Sequence, residues 1–221
     1  MTELVPPNDD SAAKRASVLG LVGLLLFLHF EAVSPFLGAQ IRRVASAEHA
    51  GLDLFLRHLL VFSLPLAAGC LLAHLVLSRM GVVRPLALPR TRHALGVGLL
   101  FGGAATLLTV LEWAALGRAF QFAPHGWSIL GNLFSNLYEE TFYRVLLIPV
   151  LLYAFRNAAA AVVGSSLIFA LTHHAYPFFL QVAVFAAGLC FGLAFLRTGN
   201  LLAPWAAHQL SDVVLDTILK P

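Results

Sequence analysis

The chain has 221 residues, of which 59% are apolar and only 11% are charged. Soluble domains carry about 25% charged residues, so this composition excludes an ordinary water-soluble protein and predicts one that lies largely in lipid. The net charge of +3 is small and spread over short loops, and we therefore expect membrane lipid, and no nucleic acid, as a partner. Cys70 and Cys190 both lie in apolar runs, which predicts neither a disulfide framework nor a metal site.

Seven apolar runs follow a polar N-terminal tail, residues 1–17. In chain order they are residues 18–37, 59–77, 94–116, 129–155, 158–171, 178–196 and 201–219. A transmembrane helix needs about 20 mostly apolar residues, and the fourth run is long enough for one tilted helix or two segments. The runs predict an all-α, polytopic bundle of seven or eight transmembrane helices, forming a single domain over residues 18–221.

The loop charges indicate an orientation. With the N-terminus inside, eight Lys and Arg residues fall in cytoplasmic segments and five fall outside. Cytoplasmic loops of membrane proteins carry the excess of Lys and Arg, so the bias predicts a cytoplasmic tail. If the fourth run crossed the membrane twice, the predicted orientation of every later segment would be reversed.

Charged residues interrupt the fourth run. An ionisable group inside a bilayer costs roughly 2.5–3.5 kcal/mol on insertion scales and by default marks a functional site. Glu140 and Arg144 are four residues apart and share a helix face, so Arg144 can neutralise and orient that carboxylate. Glu139 points about 100° away and is available to another partner. The alternative is a buried ion pair that only fixes helix packing.

Two histidines lie on other predicted helices. Phe169 and His173 are one turn apart at the end of the fifth run, where a lone histidine often interacts with the helix dipole. His208 and Asp212 share a face of the seventh run, so Asp212 can accept from one ring nitrogen and leave the other for water or substrate. The alternative for this pair is a polar seam between helices.

These polar faces are least costly if they converge on one wet cavity. A carboxylate and two imidazoles around a water supply a general base and an oxyanion stabiliser, as amide hydrolysis requires. Two histidines and a glutamate are also zinc ligands. A zinc-dependent membrane protease, a proton-relay transporter and a non-enzymatic immunity or scaffold protein therefore stay open as alternatives.

Three motifs in this order resemble those of the CAAX protease and bacteriocin-processing family of intramembrane endopeptidases. They are Glu139-Glu140-x-x-x-Arg144, Phe169-x-x-x-His173 and His208-x-x-x-Asp212. The resemblance covers about residues 127–215. It implies a protease core of glutamic type in a multi-helix bundle, with no cofactor and no required metal.

The resemblance also implies a role for each residue of the first motif. Glu140 would be the leading base, with Glu139 as its partner, and Arg144 would position both glutamates.

In the other two motifs, His173 and His208 would bind the water or polarise the scissile carbonyl, and Asp212 would orient His208. Many members have asparagine at this last position. An ionised aspartate cannot donate a hydrogen bond to an oxyanion, so orienting His208 is the role that fits Asp212.

The family further implies a peptide or protein substrate with a hydrophobic or C-terminal signal segment. That segment would be a C-terminal processing or sorting signal, or a prenyl- or bacteriocin-type substrate. The short, Ala- and Leu-rich chain indicates a bacterial, myxosortase-like member, multi-pass in the inner membrane.

Overall fold

The computed structural model describes residues 12–28, 63–86, 90–119, 121–122 and 126–220. The helices are α1 (Ala12–Leu28), α2 (Leu64–Arg79), α3 (Thr91–Ala115), α4 (Gly126–Glu140), α5 (Ile148–Phe155), α6 (Ala158–Thr172), α7 (Phe178–Thr198) and α8 (Leu202–Asp212). Two π-helical segments, Thr141–Leu147 and Val213–Ile218, join α4 to α5 and continue α8. Strands β1 (Gln121–Phe122) and β2 (Leu219–Lys220) form one short antiparallel pair. The predicted all-α class is confirmed.

The apolar runs correspond to these helices, with two informative differences. The fourth run forms one uninterrupted helical rod over residues 126–155 rather than two segments. Helix α1 begins at Ala12, inside the predicted polar tail, since the alanines at its start favour helix strongly. The rest of the first run, the loop after it and the start of the second run lie outside the described residues.

Two described helices, α3 and α7, are long and apolar enough to cross a membrane, and α2 and α6 are shorter apolar helices. On α3, Leu99, Leu100 and Leu107 are each more than half exposed. A helix face of this kind is unfavourable in water and suits contact with lipid. The number of spans, seven or eight, stays a prediction.

The basic end of the bundle gathers the arginines of several helices. Lys14 donates to the carbonyl of Met80 at 3.3 Å, so the start of α1 and the end of α2 share this end. The segment after α2 also lines a cavity with Leu152 of α5 and Gly199, which follows α7. The arginines of these segments are Arg79, Arg84, Arg156 and Arg197. Helix α6 begins just after Arg156, at the basic end, and extends towards the opposite end of the bundle. His173, which follows its last residue, therefore lies at that opposite end.

Helices α8 and α3 pack so closely that their backbones are in contact. A Cβ placed on Gly98 would lie 2.5 Å from the carbonyl oxygen of Ala203, and one on Gly102 would lie 2.6 Å from that of Ala207. Only glycine permits such a close approach of two helices. The packing matters for function because the residue after Ala207 is His208.

Candidate active site

The polar site begins where the fourth helical rod changes from α to π geometry. Glu140 ends α4, and Arg144 lies within the π-helical segment. Pro149 follows closely, and a proline inside a helix lacks an N–H and clashes with the carbonyl four residues before it, here that of Val145. A wider helical turn accommodates this conflict. π-Helical turns of this kind are frequent at functional sites.

Glu140 is completely buried and contacts two basic side chains. Its Oε1 lies 2.8 Å from Nδ1 of His208, and its Oε2 lies 3.2 Å from Nε of Arg144. The second contact has the distance of an ion pair but not the alignment of a hydrogen bond, because Oε2 and all three guanidinium nitrogens lack a hydrogen-bond partner. Buried polar groups nearly always have partners. The guanidinium nitrogens can donate to any acceptor, whereas Oε2 needs a donor; a water can serve either of them.

Aromatic rings enclose the guanidinium of Arg144, which is itself completely buried. Its central carbon lies 4.9 Å from the ring centre of Phe169 and 5.6 Å and 5.8 Å from those of Tyr143 and Phe191. A cation over an aromatic face is attracted by the ring quadrupole, more strongly when water is excluded. The rings thus compensate part of the cost of burying the charge.

The His208 ring is fixed by two aromatic contacts and one hydrogen bond. It stacks on Phe191 with centroids 4.7 Å apart and meets Phe169 edge-on at 5.6 Å. Its Nδ1 faces the carboxylate of Glu140. A carboxylate accepts only, so Nδ1 carries the hydrogen and Nε2 is directed elsewhere.

Two further carboxylates lie on the Nε2 side of His208. Oδ1 of Asp212 is 3.6 Å away, and Oε2 of Glu139 is 4.0 Å away. Both distances exceed a direct hydrogen bond. The Glu139 side chain is 26% exposed, whereas that of Glu140 is 0% exposed, so Glu139 is the glutamate of the pair that water can reach.

Asn136 completes this cluster, and the sequence analysis did not single it out. Its side-chain nitrogen donates to Oδ2 of Asp212 at 2.8 Å and to Oε1 of Gln209 at 3.3 Å. It is 2% exposed and joins α4 to α8. The signal in the sequence was its position, four residues before Glu140 and on the same helix face.

His173 joins the site through an aromatic ring. Its Nδ1 donates to the carbonyl oxygen of Phe169 at 2.9 Å, and its ring lies 4.8 Å from the Phe169 ring. Phe169 also contacts His208 and Arg144, so one ring lies at the centre of the three motifs. The other five predicted residues are connected by charged-group contacts of 2.8–4.0 Å. The neighbouring His174 is exposed.

Across the described segments, no group of three or more His, Cys, Asp or Glu side chains has an arrangement that could hold a metal ion. The geometry therefore gives no support to the zinc-dependent alternative.

A buried Glu–Arg–His cluster lies within a bundle of apolar helices, and two of the described helices are long and apolar enough to cross a membrane. Residues 120–214 match the family described as type II CAAX prenyl endopeptidase Rce1-like. The matched region covers less than half of the chain and contains all six predicted site residues, and it supports the resemblance to CAAX proteases that the three motifs carry. No curated protein and no solved structure matches the chain.

Proposed function

We propose that the protein is a multi-pass intramembrane endopeptidase of glutamic type. It hydrolyses a peptide bond in or next to a membrane-associated segment, with a water activated by glutamate and histidine. The observation that carries this proposal is the completely buried carboxylate of Glu140, shared between His208 and Arg144 inside the region that matches the family.

The distances favour Glu139 as the general base, although the resemblance places that role on Glu140. Glu140 is enclosed and engaged by two partners, which suits a group that positions others. Glu139 is partly exposed and lies 4.0 Å from Nε2 of His208. A water can bridge a gap of this size. Glu139 then takes a proton from that water as its oxygen attacks the scissile carbonyl.

The remaining groups act on the charge that develops. His208 and His173, on two different helices, donate from Nε2 to the carbonyl oxygen as it becomes an oxyanion. Each acts as the imidazolium, because Nδ1 already donates to Glu140 in the first ring and to the Phe169 carbonyl in the second. The proton held by Glu139 passes to the leaving amine, which completes hydrolysis without a net change in the enzyme. Asp212, held by Asn136, keeps the Nε2 side of His208 polar and oriented.

The substrate enters from the side of the bundle opposite to the basic end. That basic end is the predicted cytoplasmic side, and His173 lies at the other. We propose a bacterial inner-membrane enzyme whose substrate carries a C-terminal processing or sorting signal with a hydrophobic segment. Prenyl- and bacteriocin-type substrates are the other candidates within the family.

The test is cleavage by the purified protein in lipid-containing micelles. Peptides with a hydrophobic C-terminal segment are the substrates, and mass spectrometry of the products is the readout. We expect Glu139→Gln, His173→Ala and His208→Ala to abolish cleavage, while His174→Ala, the exposed neighbouring histidine, keeps it. Full processing by Glu139→Gln and His208→Ala would exclude catalysis by this cluster.

The same assay separates the alternatives. Loss of cleavage on chelation that zinc restores would support a zinc-dependent protease. If the folded wild-type protein cleaves none of the candidate substrates, the result favours a non-enzymatic immunity or scaffold role.

A further inference from the structure

Pro149 leaves one carbonyl of the catalytic helix without its usual donor. In an α-helix, each carbonyl accepts from the N–H four residues later. For Val145 that residue is Pro149, which has no N–H. Pro149 thus removes the donor that α-helical geometry would supply, and because Val145 is completely buried, water has little access to its carbonyl.

His74, on α2, supplies a hydrogen bond to this carbonyl. Its Nδ1 lies 2.7 Å from the Val145 oxygen, and because a carbonyl only accepts, Nδ1 carries the hydrogen. The His74 side chain is buried. It also borders the cavity at the basic end together with Pro149. The contact joins residues 71 positions apart in the chain.

A second side chain holds the same segment from the other direction. The hydroxyl of Ser165, on α6, donates to the carbonyl of Tyr143 at 2.7 Å. Tyr143 and Val145 are the immediate chain neighbours of Arg144. The backbone is therefore hydrogen-bonded on both sides of the residue that carries the guanidinium, from two different helices.

We propose that His74 is a positioning residue of the active site, acting through the Val145 carbonyl in place of the N–H that Pro149 lacks. By fixing the π-helical segment, it sets the position of Arg144 relative to Glu140. This role rests on the proposed function, since it concerns the geometry of the proposed catalytic cluster. It adds to that cluster a residue outside all three motifs.

The experiment compares three substitutions in the full-length protein. His74→Leu removes the donor, His74→Asn keeps an N–H near the same place, and Pro149→Ala restores the backbone N–H. Leu75→Ala, on the exposed side of the same helix, is the control. Two readouts are used: kcat and KM for peptide cleavage, and amide hydrogen exchange of residues 141–148 by mass spectrometry.

We expect His74→Leu to lower kcat roughly tenfold, the effect of one unmet buried hydrogen bond, with KM nearly unchanged. Its amide exchange in residues 141–148 should rise. His74→Asn should retain most of the wild-type kcat and protection. In the Pro149→Ala background, His74→Leu should cost much less, because Val145 then has a backbone donor; a double-mutant cycle measures this coupling.

Equal losses in His74→Leu and His74→Asn would overturn the proposal, as would full additivity with Pro149→Ala. Hydrogen exchange also decides the matter if no peptide is cleaved. Unchanged protection in His74→Leu refutes the role of His74, whereas changed and rescuable protection supports it even when the peptidase assignment fails.

Discussion

Gly102 offers a direct test of whether close helix packing sets the position of His208. In Gly102→Ala, the new Cβ would lie 2.6 Å from the carbonyl oxygen of Ala207 and 2.8 Å from its Cα. Both neighbours are backbone atoms and cannot rotate away. Restoring an ordinary contact requires the two helices to separate by roughly 0.8 Å, since interiors are packed without spare volume.

The expected cost has two parts. Overpacking of this kind destabilises by about 1–3 kcal/mol. The displacement also shifts His208, the next residue, relative to the carboxylate of Glu140, now 2.8 Å from it, and a misplacement near 1 Å can lower turnover about 100-fold. Activity should therefore fall much further than stability alone explains.

Gly103→Ala is the matched control, because nothing lies within 4 Å of a Cβ at that position. Alanine favours helix over glycine by up to about 1 kcal/mol, so this variant should be as stable as wild type or more stable. Unfolding in mixed micelles and peptide cleavage are measured for both variants. If Gly102→Ala matches Gly103→Ala in both measurements, the close packing of α3 against α8 does not position His208.

Three further predictions concern the polar cluster. Arg144→Leu leaves the buried carboxylate of Glu140 unbalanced and should destabilise by about 3–5 kcal/mol in unfolding experiments, while the double variant with Glu140→Gln should recover stability but not cleavage. Asp212→Ala removes the closer of the two acceptors of Asn136 and should cost about 1–3 kcal/mol, whereas Asp212→Asn, which keeps an acceptor, should cost less; equal unfolding free energies would contradict this role. Chelation should leave the cleavage rate of the wild-type protein unchanged, and a loss that added zinc reverses would refute a metal-independent mechanism.

The sequence predicted the helices well because the length and apolar composition of each run indicate a helix without reference to the rest of the chain. The fourth run also contains Pro149, which predicts a disturbed helix but not its form. Two donors from other helices contact the carbonyls on either side of Arg144: His74 contacts that of Val145, and Ser165 adds a second hydrogen bond to that of Tyr143. Such donors lie far away in the chain, and no periodicity within the rod indicates them.

The sequence predicted the close approaches between helices only in part. Gly188 and Gly192 have the spacing typical of tight packing, and a Cβ on Gly192 would lie 2.9 Å from Val162. Gly98 and Gly102 have the same spacing, yet their neighbours Gly96 and Gly103 have open space beside them. Sequence spacing shows that a close approach is possible, and the partner helix decides which glycines make it.

Glu139 and Glu140 show which parts of a functional assignment sequence spacing can predict and which it cannot. Neighbouring residues on a helix point about 100° apart, so different partners for Glu139 and Glu140 were predictable. The spacing could not show that both carboxylates would face the same imidazole, one at each nitrogen of His208. That arrangement requires α8 to lie across the end of α4, where Asn136 holds it through Asp212. Burial distinguishes the two carboxylates: Glu140 is enclosed and contacts the ring, whereas Glu139 is partly exposed, and this difference is the ground on which we propose Glu139 as the base.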